Sequence, residues 1–146
     1  MLNVFKYFDA PNELNRAELK NYIPLLDQLA GGELQPSDKS LLAPVMHLIK
    51  RSPRLAMWYA AEILQQRWPE AEPVIMQDPN KAYWYTRHVI KERWSEAEPV
   101  IMKDPLFAYK YARWVIRGRW IDAEPYIKQD SEQWPRYAEF FNIPTE

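Results

Sequence analysis

Two histidines and no cysteine bound the side-chain chemistry open to this chain. His47 and His88 have no second histidine, thiolate or carboxylate at a metal-ligand spacing, so no metal site is expected. The three glycines form no loop that could cradle a phosphate, and no G-x-S-x-G elbow or other nucleophile paired with a base is present. Glu70 and Glu72 resemble an acid/base pair in type, but their place at the start of a short helix makes them cap and dipole residues first. We therefore expect no catalytic residue, no cofactor and no enzymatic activity. The chemistry that remains is recognition by arginine, lysine and aromatic side chains.

Charge narrows the partner. With 19 basic and 20 acidic residues the net charge is −1, which argues against a DNA mimic and against a general binder of phosphate backbones. Residues 104–129 are slightly basic and residues 130–146 acidic. The hydrophobic fraction of 47% is ordinary, but 7 Trp and 9 Tyr against 3 Gly mean that large aromatics supply much of the packing. The lack of cysteine fits a reducing compartment. The first residues, Met1 to Phe8, carry no signal-peptide h-region, and no apolar run reaches the roughly 18 residues of a membrane span. The expectation is a cytoplasmic protein that does not enter a membrane.

The elements that must position the recognition residues are repeated. The strings RWPEAEPVIMQDP, RWSEAEPVIMKDP and RWIDAEPYIKQDS begin at Arg67, Arg93 and Arg119, a fixed interval of 26 residues. The same register aligns Ala56, Ala82 and Ala108, then Tyr59, Tyr85 and Tyr111, then Trp68, Trp94 and Trp120. Units are expected at 52–77, 78–103 and 104–129, with a half unit at 130–146. Each reads as a leading and a trailing helix. Ser52-Pro53, Asp78-Pro79, Asp104-Pro105 and Asp130-Ser131 are start signals: a side-chain oxygen accepts from first-turn amides, and proline there loses no hydrogen bond. On the leading helix Ala82, Tyr85, Thr86, Val89 and Arg93 fall on one side, as do Ala108, Tyr111, Ala112 and Val115. The trailing helix has a matching capping box, Ser95-x-x-Glu98, but Pro73, Pro99 and Pro125 lie inside it, so it is expected to begin as a looser turn.

A unit this short cannot cover its own apolar face, so the pairs must stack. The fold class expected is all-α, a short α-solenoid of helix pairs in one compact domain. Residues 1–51 form an N-terminal helical cap and the half unit closes the other end. In the cap, Leu19, Tyr22, Ile23, Leu26 and Leu29 mark one helix, kinked or broken at Pro24 and ended by Gly31-Gly32. Leu41, Leu42, Val45, Leu48 and Ile49 mark a second.

The copy Arg93-Trp94-Ser95-Glu96-Ala97-Glu98-Pro99-Val100-Ile101-Met102-Lys103-Asp104-Pro105, with A-Y-x-Y-A-x-x-V-I ahead of it, resembles short helical repeats in uncharacterised proteins of large tailed bacteriophages. The resemblance covers about residues 52–138. It transfers no catalytic residue. It implies a phage protein at work in the host cytoplasm, with binding and modulation or inhibition of a host or defence protein as one role.

The repeated Arg and Glu are read as ties of the turn between the two helices, and the repeated Trp as core. Binding is sought where the units differ. Positions turned away from the leading helix's core side carry Trp84, Arg87, His88 and Lys91, then Lys110, Arg113, Trp114 and Arg117. The first unit has Trp58 there, with Ala61, Glu62 and Gln65. Aromatic and arginine side chains are enriched at interface hot spots. The competing reading is that these tryptophans pack on a neighbouring helix. A protein partner, from the bacterial host, is expected over single-stranded RNA or DNA, because only two units carry the basic face. Self-assembly into a homo-oligomer or a structural component is the third reading.

Overall fold

The computed structural model describes residues 16–144, and every regular element among them is helical. Backbone contacts gather the chain into two units, Met1–Ile75 and Met76–Glu146. The first repeat thus clusters with the N-terminal segment rather than with the repeats that follow it.

In the first unit, α1 (Arg16–Ala30) runs through Pro24 instead of breaking there. Pro24 is exposed while Ile23, Leu26 and Leu29 are buried, so the missing amide lies on the solvent side and the core face is uninterrupted. The side chain of Leu19, also placed on this helix, falls outside the described residues. As expected, the glycine pair ends the helix. Gly32 takes a φ of 71° and donates to the Leu29 carbonyl at 3.0 Å, and Glu33 donates to the Gln28 carbonyl at 2.9 Å. Arg54 Nη2 donates to the Ala30 carbonyl at 3.1 Å and satisfies a further group of that last turn.

The second cap helix is divided. A 3₁₀ turn at Pro36–Asp38 leads to α2 (Lys39–Leu42), another at Ala43–Val45 to α3 (Met46–Ile49). Pro44 supplies no amide to a continuous helix, which accounts for the division. Leu42, Val45, Leu48 and Ile49 are buried as expected, whereas Leu41 is 54% exposed and leaves the predicted core. The repeat pair follows as α4 (Pro53–Trp58), continued by a π-helical stretch at Tyr59–Leu64, and α5 (Glu72–Ile75).

The second unit holds α6 (Pro79–Tyr85), α7 (Glu98–Ile101), α8 (Pro105–Tyr111), α9 (Glu124–Ile127) and α10 (Gln133–Phe140). α8 packs against both α6 and α10, and the short α7 and α9 each touch the leading helix before and after them. Helices of four to eight residues are too short to persist alone in water, so packing must hold them. That packing repeats. Ala82, Ala97, Ile101, Ala108, Ala123 and Ile127 have no exposed surface. The leading-helix tyrosine meets the turn tryptophan in every unit: Tyr59 and Trp68 at 4.8 Å, Tyr85 and Trp94 at 5.1 Å, Tyr111 and Trp120 at 4.8 Å between ring centroids.

The start signals act as read. Asp78 Oδ1 accepts from the Asn80 and Lys81 amides, Asp104 Oδ1 from Leu106 and Phe107, Asp130 Oδ1 from Glu132 and Gln133, and Ser52 Oγ from Leu55. Trailing helices begin as turns: the Trp94 carbonyl accepts from Ala97 and Glu98, and Pro99 then falls in the first helical turn. The capping box does not form. Ala97 is the cap residue, and the Glu98 carboxylate is taken by Arg93.

Candidate interaction surface

Two sets of arginines separate in the structure. Arg67, Arg93 and Arg119 each fork onto the glutamate five residues ahead. Arg67 Nε lies 2.7 Å from Glu72 Oε1, and Arg119 Nε lies 2.8 Å from Glu124 Oε1. Glu72, Glu98 and Glu124 are buried, with the guanidiniums reaching them from the solvent side. In the second unit this tie extends into a relay. The Trp94 amide donates to the Tyr111 hydroxyl at 2.8 Å, and the Trp120 amide to the Tyr137 hydroxyl at 2.8 Å. Tyr137 in turn donates to Glu124 Oε1 at 3.1 Å. Burial pushes both tyrosines up to about 12; the tryptophan amides oppose the rise and the nearby glutamates reinforce it. These repeated residues hold turns and join one helix pair to the next.

Arg87 and Arg113 behave differently. Among the described residues neither has a carboxylate partner. Each gives one N–H to a tyrosine hydroxyl one turn earlier on its helix, Arg87 to Tyr83 at 3.1 Å and Arg113 to Tyr109 at 3.3 Å. Each is then flanked by rings. The Arg87 Cζ lies 5.9 Å from the Trp84 centroid and 4.7 Å from that of Trp114; the Arg113 Cζ lies 4.8 Å from Trp114 and 4.4 Å from Phe140. His88 stacks on Trp84 at 4.8 Å and 9°. Arg113 Nε is buried without a hydrogen-bond acceptor, so the ring faces are what offsets its desolvation.

The result is an alternating ladder of aromatic and guanidinium groups, Trp84 with His88, Arg87, Trp114, Arg113 and Phe140, carried on α6, α8 and α10 and the π-helical stretches after α6 and α8. Trp114 and Phe140 are each 45% exposed, and His88 is exposed. Lys110 lies beside the ladder with Nζ 5.3 Å from the Phe107 ring.

The structure brings together five of the predicted binding residues, Trp84, Arg87, His88, Arg113 and Trp114, while Lys110 precedes Arg113 by three residues and lies against Phe107. Trp58 belongs to the other unit. There it is half-buried, its ring so close to Gly32 that a Cβ on that glycine would sit 2.6 Å from it. Lys91 and Arg117 are exposed at the ends of the π-helical stretches, where both take left-handed backbone, with φ of 64° and 61°.

Two features of the surface carry no outward-facing signal in the helical periodicity. Phe140 belongs to the closing half unit, whose aromatic residues Trp134, Tyr137, Phe140 and Phe141 are candidates for a terminal core, but only Tyr137 of the four is fully buried. One further 26-residue step from His88 and Trp114 reaches Phe140, and that step identifies it. Tyr83 and Tyr109, buried and equally one step apart, carry the arginines. Val89 and Arg93 also leave the predicted core face, Val89 half-buried and Arg93 exposed. Beyond Tyr85 the helix widens to π geometry, so the 100° step no longer applies at Val89, and the helix ends at Ile90, before Arg93.

No group of His, Cys, Asp and Glu among the described residues could hold a metal ion, and no helix there is long and apolar enough to cross a membrane. No family model, curated protein or solved structure matches the chain.

Proposed function

We propose that this chain is a non-enzymatic helical-repeat module that binds a protein partner through the ladder of residues 84–140. In this reading the helix pairs form a short α-solenoid, with residues 1–51 as its cap and residues 130–146 as its closing half-repeat. The partner is a bacterial host protein, as the likeness of the repeat to phage sequences implies, and the module acts by occupying it.

The observation that carries the proposal is the solvent exposure of Trp114 and Phe140, two large apolar rings at equivalent positions of successive units. Each ring covers a guanidinium on one side, but its exposed part adds little to folding. Trp94 and Trp120 show what the same unit does with a structural indole: they are 2% and 3% exposed. Truncating a buried Trp costs about 3–5 kcal/mol, whereas truncating a half-exposed one costs a fraction of that. Anchors of this type contribute on the order of 2 kcal/mol or more when a partner covers them.

Affinity capture from a bacterial lysate, with the tagged full chain and its Trp114→Ala and Phe140→Ala variants, tests the reading. A stoichiometric protein should be retained by the parent chain and lost from both variants, with helical circular dichroism unchanged. Retention by both variants would refute it. So would a bound fraction that nuclease removes, which would turn the reading toward single-stranded nucleic acid.

A further inference from the structure

The ladder also states what its occupant must look like, provided that it is the binding surface argued above. We infer that it takes an acidic protein segment, one whose carboxylates meet Arg87 and Arg113 and whose apolar or aromatic side chain rests on the exposed Trp114 and Phe140.

Charge is the first reason. Arg93, Arg119 and Arg136 of the same unit pair with Glu98, Glu124 and Glu132, but Arg87 and Arg113 have no carboxylate among the described residues. A guanidinium has five donors in a fork matched to a carboxylate. The fold uses one of them on each residue for a tyrosine hydroxyl and holds the guanidinium carbons 4.7 and 4.4 Å from the Trp114 and Phe140 ring centroids. Those contacts restrain both guanidiniums before anything binds, which lowers the ordering cost of forming a bidentate pair. Lys110, exposed Lys91 and exposed Arg117 on the same helical stretches add positive charge, and His88 stands beside Trp84. Glu139, exposed next to Phe140, is the acidic residue on the ladder's own strip of α10.

The ring faces supply the second reason, and they favour a peptide over a nucleic acid. Bases stack on open aromatic faces. Here Trp84 is covered by His88, Trp114 has a guanidinium over it from each of two successive helical stretches, and Phe140 lies under Arg113. A base would have to displace these contacts. A carboxylate needs only the outer N–H groups, and an apolar side chain needs only the exposed ring edges.

Selection of random short peptides by messenger-RNA display on the immobilised full chain tests the inference, followed by polarization titrations of the enriched peptides at low and high salt. Enriched peptides should carry Asp or Glu on both sides of an apolar or aromatic residue and weaken with salt. Arg87→Gln and Arg113→Gln should each lower their affinity by about tenfold, with Arg87→Gln as the safer variant because Arg113 Nε is buried. The inference is overturned if nothing is enriched, if enriched peptides are neutral, or if single-stranded oligonucleotides compete more tightly than the peptides. Neutral peptides that still depend on Trp114 would sink the acidic partner and leave the binding surface standing. Peptides indifferent to both Trp114→Ala and the arginine variants would sink both.

Discussion

Arg93 and Arg113 carry the same side chain and do different work because of what faces them. Arg93 bridges to buried Glu98 across a turn; Arg113 lies between Trp114 and Phe140. At the first kind of site the carboxylate is the vulnerable member. Glu124→Gln removes the charge that Arg119 and Tyr137 address. Because the Arg119 side chain is 46% exposed and can rehydrate, the cost should be about 1–3 kcal/mol rather than the full penalty of a broken buried pair, measurable by urea denaturation. Tyr111→Phe and Tyr137→Phe should each cost about 1–3 kcal/mol by leaving a tryptophan amide without its acceptor. The tyrosines also set a pH dependence. Both are raised to about 12 in the fold against about 10 when unfolded. Above about 10 the unfolded chain therefore releases protons that the folded chain retains, so their stabilisation is complete below about 10 and declines between about 10 and 12. Urea midpoints should fall through that window, and less steeply in the Tyr137→Phe variant.

The repeated start signals, the 26-residue period and the Tyr and Trp core positions are legible in the chain because each states a local rule: a cap, a proline, a ring at a fixed step. The ends of the leading helices are not. Gln65, Lys91 and Arg117, one per unit, take φ of 55°, 64° and 61°, a conformation that ordinarily selects glycine. Lys91 and Arg117 donate to carbonyls five residues back, at 2.7 Å in each case. No residue type marks this: Thr86 opens one π-helical stretch and Ala112 another. The widened stretch takes Val89 off the face that helical periodicity assigns it, and the early helix end at Ile90 leaves Arg93 outside the helix. Five of the six ladder residues are legible in the chain as outward-facing positions. Phe140 and the supporting Tyr83 and Tyr109 are not, because an aromatic residue is read as core until its neighbours are known. Lys91→Gly should raise stability by about 0.5–1 kcal/mol through relief of left-handed strain, seen as a higher denaturation midpoint. Any loss of partner affinity in that variant would then report the side chain and not the fold.

Across the chain, what all the units share builds and joins helix pairs, and what only some of them carry is gathered on the ladder of the 76–146 unit. Stability and recognition therefore rest largely on different residues. Exchanging Arg93 for Ala should lower the denaturation midpoint and leave the binding preference intact, while Trp114→Ala should weaken binding far more than it lowers the midpoint. The most direct measurement is a hydrogen-exchange footprint of an enriched acidic peptide on the full chain. Slowed exchange over residues 84–91, 110–117 and around Phe140, with the trailing helices that begin at Glu98 and Glu124 unchanged, is the predicted result. Protection confined to those trailing helices, or to α1 through α3, would contradict the account.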